Sequence, residues 1–389
     1  MNDTQPELPI SLIRGGTLYW VQEKAQLIQP NQWNLGRRLP FAIAIAWLPL
    51  LVLAVIHSGS GRSGLGALLS DYRVYARVFI GIPLLLLGQI TMESRFRQMS
   101  QHFLDANLIR IKDLPTFRKA MEKARRLRDA KLPEILIILA VYLQIAYFLQ
   151  SGKFQYATWA TEAGSNTPTP AGYYALFVTQ ALFLGLLALA FWKWVIWIVV
   201  LYDLSRMDLQ LDSTDGDLTA GLGFLGEVPK AFVTVVLAIS AVIGATWRSQ
   251  LLDGSTTLES YKLPAGLLAT LILLIFFVPL LLFTPKLIKE KKEGNLKYGS
   301  LQHLHSLQFR QKWLDQRNQH LEELLGTPDV SSLADISSSF RNVGDMRVFP
   351  FKKSVAIALL VGLALPMLPA LTAQIPFKEL LKGLLDALH

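Results

Sequence analysis

Four aspartates (Asp208, Asp212, Asp215, Asp217) and four glycines (Gly216, Gly221, Gly223, Gly226) share one polar stretch, Met207 to Lys230, of this 389-residue chain. Carboxylates on a flexible loop are the ligands that hard cations take. The spacing Asp212-x-x-Asp215-Gly216-Asp217 lacks the alternate-residue pattern of a calcium loop, however, and no glutamate closes it, so it reads as a solvated acidic loop. Gly221-Leu222-Gly223-Phe224-Leu225-Gly226 is a literal G-x-G-x-x-G. A dinucleotide fingerprint needs a strand before it, a soluble helix after it and an acid on a second strand, and the sequence supplies none. Thr219 to Gly223 also echoes a potassium-filter loop, but acidic residues precede it where an amphipathic pore helix would be needed. What remains is a loop whose glycines let it turn tightly and pack on helix ends.

A second group of polar residues sits inside apolar runs, where an ionisable side chain costs on the order of 3 kcal/mol unless paired or hydrated. Arg77 and Lys193, the latter within Trp192-Lys193-Trp194, are the charged members; Gln89, Gln144 and Gln180 are the neutral ones. Snorkelling beside an aromatic belt explains both cations structurally. The functional alternative is a hydrated, positively charged path between spans. His303 and His305 face different ways on a helix, and no Ser/His/Asp or paired-carboxylate set shares a face, so no enzyme and no cofactor is expected.

The elements that position these residues are membrane spans. The apolar fraction is 52% and the apolar residues cluster, which places the chain among all-α polytopic membrane proteins. Cysteine is absent, which excludes disulfides and thiolate metal sites. The order read from the sequence is a polar and interfacial segment (1–39), spans one and two (40–90), basic helices (91–132), spans three and four (133–201), the central acidic loop (202–230), spans five and six (231–283), a second basic helical region (284–353), and a final apolar and amphipathic segment (354–389). Pro83 should kink the second span. The last segment, broken by Pro366 and Pro369, reads as a seventh span or a re-entrant hairpin. The net charge of +9 comes from Lys and Arg bordering the spans, so nucleic acid is not expected. With a cytoplasmic N-terminus, 29 Lys and Arg fall on the inside and five (Arg62, Arg73, Lys153, Arg248, Lys262) on the outside.

Several passages together resemble an uncharacterised family of bacterial multi-pass inner-membrane proteins: Ile13 to Gly16, Trp47 to Leu51, Asp71 to Gln89, Gly221 to Leu225, and Leu325 to Asp335. The resemblance covers nearly the whole chain, implies the polytopic fold and a bacterial inner membrane, and brings no activity. The family reads His-Pro-Asp-Arg-Ala-Gly-Gly where this chain has Asp215 to Gly221, and ends its second span on an acid where Gln89 stands.

These readings lead to an expected channel or transporter-like protein, with a non-transporting scaffold or sensor as the alternative. Partners open to it are anionic headgroups of the bilayer, a second copy of the chain and an inorganic ion. The two basic regions are expected to lie against each other. Gly221 to Gly226 is expected to fold against the span ends and hold Asp215 and Asp217 at the mouth of a pathway, free enough that replacing both by asparagine leaves folding intact.

Overall fold

The computed structural model describes residues 15–24, 26, 34–58, 64–150, 159–162, 167–315 and 328–372. The amphipathic part of the final segment, Pro376 to Leu388, lies outside them. Among the described residues the fold is all-α, with no strand beyond two isolated bridges.

Among the described residues seven helices are long and apolar enough to cross a membrane. After a short helix α1 (Thr17–Lys24) comes α2 (Leu35–Ser58), and after α3 (Gly64–Leu69) comes α4 (Tyr72–Asp105). Then follow the basic helix α5 (Leu114–Asp129), α6 (Lys131–Gln150), α7 (Pro170–Ser205) and α8 (Gly223–Leu252). The longest, α9 (Glu259–Leu314), is followed by α10 (Pro328–Asp345) and α11 (Lys353–Leu371). Outward-facing Ile135, Leu136, Ile138, Leu139 and Leu143 give α6 an exposed apolar face of the kind that meets lipid.

Prolines shape the bundle through the carbonyls they free. Pro49 donates nothing to Ile45, and the Tyr174 hydroxyl donates to that carbonyl oxygen instead, at 2.7 Å. Thr179 does the same for the next carbonyl, Ala46, at 2.9 Å. Pro83 follows a π-helical turn, Ala76–Gly81, which accommodates its ring within a continuous helix. A second π turn, Ala175–Gln180, sits opposite it in α7, and the missing side chain of Gly81 leaves room for the Phe183 ring.

The final apolar segment forms one helix with a 3₁₀ turn at Leu365–Met367, so of the two expected forms it takes that of a seventh span. It seats on small residues of α8: Ser240 donates to the Leu363 carbonyl, and a Cβ at Gly244 would meet the Pro366 carbonyl at 2.8 Å. Arg248 donates to the carbonyl of Pro369 and, at 3.0 Å, to Thr372 Oγ1, satisfying the end of α11.

Two helices outrun the boundaries expected of them. The second span continues through Asp105. The sixth does not close at Pro285: a 3₁₀ turn, Val278–Phe283, passes directly into helix that continues to Leu314. Pro285 stands in the first turn after that junction, where a missing N–H costs little. From Thr284 the helix runs on for about 45 Å at 1.5 Å per residue. α10 packs back along it as an antiparallel hairpin, starting at Pro328.

Candidate functional site

The central loop is built around one carboxylate. Asp217 Oδ1 accepts from the backbone N–H of Thr219 at 2.6 Å and of Gly221 at 3.1 Å, and its Oδ2 accepts from Gly223 at 2.7 Å. Three successive alternate N–H groups thus converge on one side chain, an anion nest filled by the chain's own acid. Leu218, Ala220 and Gly221 hold positive φ to make the turn (57°, 53° and 85°). A Cβ at Gly223 would meet Asp217 Oδ2 at 2.9 Å, so the nest closes only on glycine there. Asp212 and Asp215 make simpler turns: Asp212 Oδ1 accepts from Thr214 N at 2.9 Å, and Asp215 Oδ1 from Asp217 N at 2.9 Å. Asp217 is therefore not a carboxylate free to steer cations, which corrects its expected place as an open charge at a pathway mouth. Both its oxygens already hold backbone. Among the described residues no group of His, Asp and Glu is arranged to hold a metal ion.

The glycines carry the loop onto the helix ends. Leu222 and Leu225 are fully buried, and Phe224 packs on His102 and Phe103 of α4 with ring centroids at 4.3 and 5.1 Å. Gly223 to Phe232 winds as a 3₁₀ helix straight into α8, so the stretch read as loop is the first part of the fifth span's helix.

This loop separates the two basic regions, which the sequence reading had placed against each other. On one side Gln210 N donates to the Leu108 carbonyl at 2.8 Å, Arg110 and Lys112 pair with Asp208, and Lys123 pairs with Asp203 at 3.0 Å. On the other, Arg347 donates from its backbone to Leu218 O at 2.7 Å and from its side chain to Asp217 O at 3.1 Å. Lys352 pairs with Glu227 at 2.9 Å, Lys286 donates to Met207 O, and Asn342 to Thr214 O. The acids and carbonyls of the loop are the counter-surface for cations from both regions.

The candidate pathway residues divide. Gln89 and Lys193 lie toward the loop end of the bundle. Gln89 Oε1 accepts from the guanidinium of Arg38 at 2.9 Å, and Arg38 and Glu93 are the charges that act on Lys193. Arg38 is buried in the first turn of α2, among the Lys and Arg that border the spans. Its position directly after Arg37, one turn into a helix beginning before Pro40, was the available signal.

Arg77 lies about 18 Å from Gln89 along α4, twelve residues at 1.5 Å each. It is buried in the π turn, beside a small cavity lined by Arg73, Trp159, Ala160 and Gly172. Next to it the buried Asp71 accepts from Trp159 Nε1 at 3.1 Å and from Arg73 at 2.9 and 3.1 Å. Thr169, fully buried, donates to the Trp159 carbonyl at 2.9 Å. This lock of Asp71, Arg73, Trp159 and Thr169 was not foreseen, because its partners are 88 residues apart. Between the two polar clusters α4 presents fully buried Val78 and Ile82 and nearly buried Leu85 and Leu86. Gln144 is exposed on the outer face of α6, and Gln180 lies half-buried in the second π turn. The five residues thus line no common path.

No family model matches this chain, no curated protein matches it, and no solved structure matches its fold.

Proposed function

We propose that this multi-pass membrane protein is a membrane-anchored docking scaffold, with the α9–α10 hairpin as its docking arm. The observation that carries the reading is α9 itself. One helix runs on from the sixth span for about 45 Å, its first turns packed on the central loop and the rest on α10, bearing exposed Leu296, Leu301, Leu304 and Leu307 among exposed Lys289, Lys292, Lys297 and Arg310. That pattern fits a protein partner whose apolar surface is bordered by acidic residues. The hairpin is held firmly: Asp329 accepts from Lys312 at 2.6 Å and from Trp313 Nε1 at 3.1 Å, and His305 bonds Ser332 at 3.0 Å. The central loop, clamped by charges from both basic regions, ties the hairpin's base to α4 and α5.

The channel or transporter reading draws support from a different observation, the buried grouping of Arg38 and Gln89 close to Lys193 and Glu93. It is the second reading, because the apolar layer at Val78, Ile82 and Leu85 stands between that grouping and Arg77. The surplus of Lys and Arg around α5 and α9 supports a cytoplasmic placement of the hairpin, the loop and the N-terminus. With the family resemblance, it supports the inner membrane of a bacterium.

Purified protein in liposomes tests the choice. Potassium and halide flux at the protein-free background is expected, together with a discrete cellular adduct from a photo-cross-linker at Leu304 that Leu301→Ser with Leu307→Ser abolishes. Flux well above background, with no adduct, would replace the scaffold by the channel.

A further inference from the structure

α6 packs mainly on α7 and stands away from α2, and the wedge between them is a crevice of about 720 Å³. That lies within the range of about 300–1,000 Å³ typical of ligand pockets. Its length is apolar, with Phe41 and Ile45 of α2, Ile135 and Ile138 of α6 and Leu182 and Leu186 of α7 on its walls. Its inner end is polar. Among the described residues, Gln22, Arg38, Lys131 and Glu134 line it, two cations and one acid, with Arg38 also donating to Gln89 behind the wall. Both α2 and α6 begin at this end, at Leu35 and Lys131, so two helix N-termini add partial positive charge.

We propose that this crevice is a binding site for one anionic glycerophospholipid, with an acyl chain between α2, α6 and α7 and the phosphate at Arg38, Lys131 and the two helix N-termini. The apolar walls select a lipid over a free phosphate: a soluble phosphate would use only the polar end and leave the apolar length empty. The charge at the inner end selects an anionic headgroup over a zwitterionic one. Gly185 marks the space itself. It lines the crevice, and a Cβ built on it meets nothing within 4 Å, so a larger side chain there would fill crevice space without disturbing the helix.

The test is native mass spectrometry of the detergent-purified full chain titrated with phosphatidylglycerol, phosphatidylcholine or glycerol phosphate. The wild type is expected to retain phosphatidylglycerol at least tenfold more tightly than phosphatidylcholine and to retain no glycerol phosphate. Lys131→Gln, at an exposed position that leaves the fold intact, should lower the preference about fivefold, the share of one basic group near an anionic surface. Gly185→Leu should remove retention of both lipids while melting temperature holds. Equal retention of the two lipids by the wild type, retention of glycerol phosphate, or full retention by Gly185→Leu would each overturn the site.

Discussion

Asp217→Asn is the substitution that most directly probes how the central loop is held. Asp217 accepts three backbone N–H bonds, at 2.6, 3.1 and 2.7 Å, and hydrogen bonds to a charged group contribute about 1.5–3 kcal/mol each. Asparagine keeps one acceptor oxygen, enough for Thr219 and Gly221, which share Oδ1, but turns an NH₂ toward the buried N–H of Gly223. The loss is one bond, the charge assistance of two others and a donor facing a donor, which together amount to about 3 kcal/mol. A domain of 150–250 residues loses about 2–4 °C per kcal/mol and a chain about twice that length about half as much, so about 3 kcal/mol should lower the melting temperature by about 3–6 °C. Asp215→Asn is the internal control. It accepts one bond, from Asp217 N at 2.9 Å, on an exposed side chain, and asparagine serves that turn equally well, so its effect should stay within about 0.5 kcal/mol. Melting curves in detergent, followed by light scattering and by monodispersity after heating, measure both. Equal melting temperatures for the two variants would refute the nest as the element that holds the loop.

The glycines of the same region should separate by what their Cβ would meet. Gly226→Ala forces a carbon to 2.6 Å from the Pro350 carbonyl and should lower expression and melting temperature, whereas Gly216→Ala, with nothing within 4 Å, should do neither. Asp71→Ala removes the carboxylate shared by Arg73 and Trp159 at the opposite end, and leaving the Arg73 charge without it should cost about 3–5 kcal/mol, read as a lower melting temperature. At the hairpin tip, hydrogen bonds from Lys312 and Trp313 hold the Asp329 carboxyl below its ordinary value of 3.8. A depressed carboxylate stabilises above its unfolded pKa and loses that contribution as pH falls through the lower folded value. The melting difference between wild type and Asp329→Asn should thus be present at neutral pH and shrink below pH 3.8; a difference that grows there would reverse the sign of the argument.

The spans were legible because a run of apolar residues has one stable home, and each of the six apolar runs lies within a helix long and apolar enough to cross a membrane. The ends of those helices were not legible. The run of helix past Thr284 depends on α10 and the central loop being there to cover Leu287, Gly294 and Trp313, which are buried by packing rather than marked by composition. Hydropathy marks where a helix can enter lipid, not where it stops. The polar residues show the same division. Arg77 and Lys193 stood out because charge in an apolar run is conspicuous. Arg38 and Asp71 lie at span borders, where charge is ordinary, and only their partners 51 and 88 residues away distinguish them.

The acidic character of the central loop takes on a different meaning once its neighbours are in place. Asp203 and Asp208 answer Lys123, Arg110 and Lys112 on one side; Glu227 answers Lys352 on the other; and Asp217 answers backbone alone. Asp208 is exposed and Asp203 and Glu227 are part-buried, but every pair is open to solvent on at least one side and is worth little by itself. Their common effect is on geometry. Two segments rich in Lys and Arg, brought to one end of a bundle, would repel each other across any direct contact, and an intervening acidic loop removes that repulsion while fixing the spacing between them. Asp217 can serve that loop only if its own charge is spent inward, on three N–H groups, so that the loop keeps one shape whatever the ionic strength. Exposed ion pairs weaken as salt screens them over a Debye length of about 8 Å at physiological strength, and backbone hydrogen bonds to a part-buried carboxylate weaken far less. High salt should therefore loosen α5 and the hairpin base from the loop, seen as faster amide exchange in residues 108–123 and 345–352, while exchange at Thr219, Gly221 and Gly223 stays slow. Equal loosening of the nest and its flanks would mean that the ion pairs hold the loop's shape and the nest merely follows.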